Sequence, residues 1–356
     1  MPLVQKHRFD LLDGIRGLAA IAVMVYHFTS HNDLHWFGGA WVAVDLFFIL
    51  SGFVIAHSYG AKLLAGMQFR QFFLIRLVRL GPLYFLGLSL GFVAALISML
   101  AGQFGDIRPI QLGTAAMLGL AWMPYPNSLA WPFGDDALVG MVFPLNGPAW
   151  SLFFEAFVNV AFFFYVYRFK RLCGLLWIAI AVAIFLAATL VLHQTNPGWG
   201  KGNFIYGFPR VTAEFFAGVL IYQAGFHRRA ARPKLMIVVG AAIALLLFSA
   251  EGALANSLTL IPLSVILASA IKIESQSLKH ACAALGNLSY PLYIVHIPMY
   301  QLLWKIPFVP TLNPVVQTAV ISSVCVLLAW MLIPFDERLR KILNSRVVFV
   351  RQLQAI

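Results

Sequence analysis

Residues 13–27 read Asp13-Gly14-Ile15-Arg16-Gly17-Leu18-Ala19-Ala20-Ile21-Ala22-Val23-Met24-Val25-Tyr26-His27. After a short loop the chain continues Asp45-Leu46-Phe47-Phe48-Ile49-Leu50-Ser51-Gly52-Phe53. Both stretches have the apolar density of a membrane span, yet they carry Arg16, His27 and Asp45. An ionisable group inside a bilayer is costly even on the mildest scales, so it normally faces a protein interior and has a task there. Arg16 and His27 stand eleven positions apart, roughly 16 Å of helix, and 3.6 residues per turn returns the two to nearly the same face. One helix face thus offers a permanent cation near its start and a titratable base well inside.

Outward from that pair the chain keeps the same character. Its 356 residues are 61% hydrophobic and 11% charged, against about 25% charged in soluble domains. The mean hydropathy is +0.84. Apolar runs near the ~20 residues needed to cross a bilayer recur along it. The expected fold class is therefore all-α, a polytopic membrane helix bundle in contact with lipid. A net charge of +12 raises nucleic acid as a partner. However, the cations cluster in short segments between apolar runs, the positive-inside pattern that sets orientation, and no nucleic acid is expected. Cys173, Cys282 and Cys325 are widely spaced with no CxxC pair. They form neither a disulfide framework nor a zinc site, and no metal is expected. Lys6 and Arg8 precede the first apolar run as in a signal peptide, but its length and its Arg16 and His27 make it a retained helix.

With Lys6 and Arg8 taken as cytoplasmic, spans near 12–31 and 40–60 lead out and back to a basic segment at 62–80. There Lys62, Arg70, Arg76 and Arg79 mark the inner side, and Phe69 to Leu80 reads as an interfacial amphipathic helix. Two crossings at 81–103 and 108–124 would put the following loop inside, although it holds Asp135, Asp136 and no Lys or Arg. One crossing plus a re-entrant or tilted segment restores the charge rule. Irregular backbone at that depth requires a cavity nearby. Further spans follow at 148–167, 172–192, 207–226, 235–250, 256–272, 286–304 and 314–334. The count is about ten, with both termini cytoplasmic. A single domain is expected over 1–356: a helical bundle at 12–334 and a basic cytoplasmic tail at 335–356.

This topology sets His27, Asp45, Glu155, Glu214 and His296 at similar depth in the outer half, and Arg16, Arg76 and Arg79 at the inner side. His27 is a natural general base; the plainer alternative is a hydrogen bond between helices. Either Asp45 or Glu155, the latter within Pro148-Ala149-Trp150-Ser151-Leu152-Phe153-Phe154-Glu155, would hold its far ring nitrogen, as in base-and-orienter triads. Asp45 is also explained by an ion pair or a helix cap. Arg16 is explained by snorkelling, and Arg76 and Arg79, sharing a helix face at i and i+3, by topology. Together the three suit phosphate, which arginine grips in bidentate fashion. Ser51 lacks the GxSxG elbow, Ile49 standing two places before it, and reads as a close-packing residue. The stretch from Gly286 to His296 reads as a helix start capped by Asn287 or Ser289, with His296 lining the cavity or bonding a neighbouring helix. No GxxxxGK[ST], HExxH or GxGxxG is present. The HxxxxD spacing of soluble glycerolipid acyltransferases fails at Asn32.

These residues resemble the integral-membrane acyltransferase family 3, the O-acyltransferases of bacterial surface glycans and of some antibiotics. The likeness rests on Arg16-x10-His27, the aspartate-led run from Asp45 to Phe53, Arg76-Leu77-Val78-Arg79, Trp150-Ser151-Leu152 to Glu155, and Ser289-Tyr290 to His296. It spans essentially the whole chain. The resemblance implies a ten-helix bundle of the bacterial inner membrane that takes an acyl group, commonly acetyl, from cytosolic acyl-CoA. The group passes to a hydroxyl of a glycan, such as an exopolysaccharide, a lipopolysaccharide sugar or a lipid-linked sugar. Some relatives add an SGNH hydrolase-like domain, and none is expected here. On this reading Arg16, Arg76 and Arg79 bind acyl-CoA, and His27 is the base, steadied by Asp45 or Glu155. Ser51, Trp150, Glu214 and His296 line the substrate cavity of one continuous passage. The rival reading is a proton-coupled glycolipid or small-molecule transporter, since membrane carboxylates and histidines also build proton relays. No inverted repeat of the kind transporters often show is visible.

Overall fold

The computed structural model describes residues 9–30, 34–133, 136–167, 171–193, 196–229, 234–248 and 260–353. Lys6, Arg8, Asn32, Asp135 and the side chains of Asp136 and Cys173 lie outside the described residues, as do 249–250 and 256–259 of two expected spans. Eleven α-helices are described: α1 (Asp10–Thr29), α2 (Ala43–Leu64), α3 (Phe69–Leu100), α4 (Pro109–Leu120), α5 (Ala149–Tyr167), α6 (Arg171–Leu190), α7 (Phe204–Ala224), α8 (Leu235–Phe248), α9 (Ile261–Ala270), α10 (Gln276–Leu303) and α11 (Pro314–Leu353). One antiparallel hairpin, β1 (Ala130–Phe133) with β2 (Asp136–Val139), stands between α4 and α5, pairing Pro132 with Ala137 and Phe133 with Asp136. Six described segments are long and apolar enough to cross a bilayer: Asp10–Thr29, Ala40–Leu64, Phe69–Leu100, Ala149–Val166, Phe204–Arg228 and Pro314–Ser345. Shorter apolar helices fill in between them.

Three boundaries differ from the sequence expectation. Phe69–Leu80 is not a separate interfacial helix but the start of the 32-residue α3. Pro82 lies inside it and removes only one backbone donor, so nothing interrupts the helix there. The following α4 has 12 residues, roughly 18 Å, well short of a ~30 Å hydrocarbon core. Second, α10 begins at Gln276, with Ser275 Oγ accepting from the Leu278 N–H at 3.4 Å. Asn287 and Ser289 are therefore interior residues and not caps. Third, α11 runs through Pro334 to Leu353, so residues after 334 continue a helix instead of leaving as a tail. Its Asp336 is buried, 2.7 Å from Arg340 and 3.8 Å from Arg79.

Two parallel helix pairs position the site. α1 packs mainly on α10, and α2 on α7. Without a hydrophobic drive between helices in lipid, close approach through small residues supplies the attraction. A Cβ at Gly17 would meet the Leu285 carbonyl oxygen at 2.5 Å. One at Gly52 would overlap the Phe215 carbonyl, and one at Gly218 the Ile49 carbonyl. The first pair runs side by side from Asp13 beside Gly286 to Phe28 stacked on Tyr300. The second runs from Asp45 beside Arg210 to Phe53 against Tyr222. Depth along one helix is thereby matched to depth along its partner.

Candidate active site

The first cavity, about 230 Å³, is lined by Arg16, Arg76 and Arg79 together with Ser51, Glu155 and Ser289. The i, i+3 spacing on α3 aims Arg76 and Arg79 the same way, while α1 delivers Arg16 from across the cavity. Arg16 Nε donates to Ser289 Oγ at 2.9 Å and its Nη2 to the Gly286 carbonyl at 2.8 Å, with Asp13 at 3.2 Å. Arg76 Nη2 donates to Glu155 Oε1 at 2.9 Å, and its buried Nε has no hydrogen-bond partner among the described residues. Arg79 lies over the Tyr290 ring, 5.5 Å from its centre. Three guanidinium groups from two helices thus converge on one opening, with Glu155 as the carboxylate on its wall.

The second cavity, about 250 Å³, holds His27 with Tyr26, Trp41, Trp150 and Asn196. The hairpin closes it. Phe133 and Leu138 line this cavity, while Pro132 and Ala137 line the cleft on the other side. That alternation follows from the two-residue period of a strand. The cavity required by the irregular segment after α4 is found here.

The expected single passage is two chambers. Val44 and Tyr293 line both, and the Tyr293 hydroxyl lies 3.0 Å from Ser151 Oγ. Successive residues of α5 serve opposite sides, Ser151 the arginine chamber and Trp150 the His27 chamber. A tyrosine ring is wide enough to stand as a wall where a smaller side chain would leave the bundle open.

The carboxylates are not where the triad analogy put them. Glu155 Oε1 accepts from Ser51 Oγ at 2.5 Å, from Arg76, and from Asn159 Nδ2 at 3.2 Å. It therefore faces the arginine chamber and not the His27 ring. Asp45 Oδ1 accepts from Arg210 Nε at 2.9 Å and from its Nη2, and Glu214 Oε1 lies 3.3 Å from the same Nε. Buried carboxylates take a charged partner wherever the fold supplies one, because an unpaired buried charge is expensive. Glu214 lines neither chamber and serves instead as part of this ion cluster. His296 is fully buried, also lines neither chamber, and packs its ring against His27 at 5.4 Å between centres.

Sequence reasoning missed Arg210. It is fully buried on α7, donates from Nη1 to Asn196 Oδ1 at 2.7 Å and to the Pro197 carbonyl at 2.9 Å, and sits over the Trp150 ring at 5.7 Å. Asn196 and Trp150 both line the His27 chamber, so Arg210 shapes that chamber from one layer behind it. The available signal was an arginine four residues before Glu214 in an apolar span, an i, i+4 pair on one helix face.

A family model described as an acyltransferase domain matches residues 9–333. The chain is 41% identical over 168 residues to protein 2 in the picA locus of Rhizobium radiobacter, covering 44% of this chain and 81% of that one. It is 36% identical over 87 residues to the Bacillus subtilis protein YrhL, 23% of this chain and 13% of the relative. To the peptidoglycan O-acetyltransferase OatA of Listeria monocytogenes it is 37% identical over 73 residues, 20% of this chain and 11% of the relative. The matched stretches thus span only 13% and 11% of the last two proteins. No solved structure matches.

Proposed function

The chain belongs to the integral-membrane acyltransferase family 3, and on that footing we propose that it is a membrane O-acyltransferase. It moves an acyl group, acetyl in the first instance, from cytosolic acyl-CoA to a hydroxyl of a surface glycan. The name of the OatA relative supports an O-acetyl product on a cell-envelope polysaccharide. The observation that carries the reading is the juxtaposition of an arginine-lined chamber and a histidine-lined one across the shared Val44–Tyr293 wall.

Arg16, Arg76 and Arg79 fit the phosphates of the donor. Guanidinium groups pair with phosphate oxygens in bidentate fashion, and the buried Arg76 Nε is a donor awaiting an acceptor. Held there, the donor extends its thioester end past Tyr293 toward His27. His27 accepts the proton of the acceptor hydroxyl as that oxygen attacks the thioester carbonyl, and returns the proton to the departing thiolate. General base assistance of this kind is worth roughly 10²–10⁴-fold. Asp45, Arg210 and Glu214 hold α2 and α7 together behind the chamber.

The test is transfer of labelled acetyl from acetyl-CoA by the protein in membrane vesicles. His27→Ala should lose about 10²–10⁴-fold in kcat while extracting as folded protein. A wild-type rate in that variant ends the reading of His27 as the base. Flux of label across the vesicle with no covalent transfer would favour the transporter instead. Mass spectrometry of surface glycans from cells with and without the protein identifies the acceptor by its missing acyl mass.

A further inference from the structure

His296 occupies the place that neither carboxylate fills. It is fully buried on α10, and its ring is tilted 33° to that of His27. Its Nδ1 lies 2.8 Å from the Tyr293 carbonyl oxygen and 3.2 Å from that of Leu292. Carbonyl oxygens only accept, so Nδ1 carries a proton, and in the neutral ring Nε2 is then a bare lone pair. That lone pair is buried with no hydrogen-bond partner among the described residues, a condition that costs the full desolvation of the group.

Among the described residues three aromatic rings neighbour His296, those of His27, Phe28 and Tyr293. Phenylalanine has no polar hydrogen, and the Tyr293 hydroxyl is paired with Ser151. Of the three, His27 is the ring that can bring an N–H. The ring centres lie 5.4 Å apart and Nε2 forms no hydrogen bond among the described residues, so the contact forms when the His27 ring turns its N–H toward Nε2, to a hydrogen-bond length of about 3 Å. The helix carrying His296 is braced for this. Pro298 leaves the Ile294 carbonyl without its usual intrahelical donor, and Asn146 Nδ2 donates to that carbonyl at 3.2 Å.

We propose that His296 is the positioning residue of the His27 base. Its Nε2 accepts the His27 N–H that is turned away from the acceptor hydroxyl. His27 is thereby held in the tautomer whose other nitrogen can take a proton. A neutral imidazole does here what a carboxylate does in the familiar triads, because the nearby carboxylates are bound to Arg76 and Arg210. The inference rests on the reading of His27 as base.

The test compares His296→Leu, which removes the acceptor, with His296→Gln, whose Oε1 can stand where Nε2 stood. Both are assayed in vesicles beside His27→Ala. The Leu variant should lose about 10²-fold or more in kcat with donor KM within roughly twofold, and the Gln variant should recover most of that loss. His296→Met, also apolar and flexible enough to fill the site, stands in for Leu if the latter does not fold. Equal losses in the apolar and Gln variants, or a change confined to KM, would reduce His296 to a packing residue. A fully active His296→Leu beside an inactive His27→Ala sinks this inference alone, whereas an active His27→Ala sinks the base reading and this one with it.

Discussion

Arg210 on α7 donates from Nε to Asp45 on α2 at 2.9 Å, where its guanidinium is fully excluded from solvent. The same guanidinium holds Asn196 and faces the Trp150 ring, so one buried cation joins the helix pair to the wall of the His27 chamber.

Removing that cation should cost more than removing one of its anions. Arg210→Met leaves Asp45 and Glu214 buried together without a counter-charge, and breaking such a pair typically costs about 3–5 kcal/mol. A neutral double replacement, Arg210→Met with Asp45→Leu, should recover part of the loss. Thermal unfolding of the purified protein in detergent measures both. A stable Arg210→Met single variant would show that the cluster does not hold α2 to α7.

The α2–α7 crossing tolerates no side chain at its centre. Gly52→Ala drives a Cβ into the Phe215 carbonyl, and overpacking of this kind costs about 1–3 kcal/mol or more. Gly60, on the same helix, has nothing within 4 Å of the point where a Cβ would stand, and Gly60→Ala should be neutral or stabilising by up to about 1 kcal/mol. A lower unfolding temperature for the first variant and none for the second is the expected result.

Arg76 should matter to donor binding before it matters to chemistry. Arg76→Met is expected to raise the acetyl-CoA KM by about tenfold with kcat little changed, the signature of lost uniform binding. Initial rates over a donor series decide it. An unaltered KM would remove Arg76 from the donor site.

The wall between the chambers should control water. Tyr293→Ala merges the two cavities, and release of free CoA without acceptor should rise several-fold relative to acyl transfer. Tyr293→Phe keeps the ring and loses only the contact to Ser151, worth about 0.5–1.5 kcal/mol. It should leave that ratio near wild type.

Much of this arrangement was legible in the chain itself. The apolar density gave the helices; Gly52 does stand at a close crossing with Phe215, whereas Ser51, read as a close-packing residue, lines the arginine chamber and donates to Glu155. Helix geometry put Arg16 and His27 on one face, and the two do line successive chambers. Boundaries at Phe69, Gln276 and Pro334 were less legible. Proline inside a long helix removes one donor without ending the helix, and aromatic–arginine mixtures suit the start of a long helix as well as an interface.

Composition and spacing alone point to a membrane helix bundle, while the family comes from the resemblance of its motifs and the family model that matches residues 9–333. Spacing and composition also mark the ionisable residues that must face the bundle interior, because lipid admits neither unpaired backbone nor unpaired charge. The pairing of those residues was settled by packing in three dimensions. Spacing along a helix sets the face and depth of a side chain but says nothing of which helix lies opposite. Asp45 therefore went to Arg210, Glu155 to Arg76, and the imidazole of His296 to the side of His27.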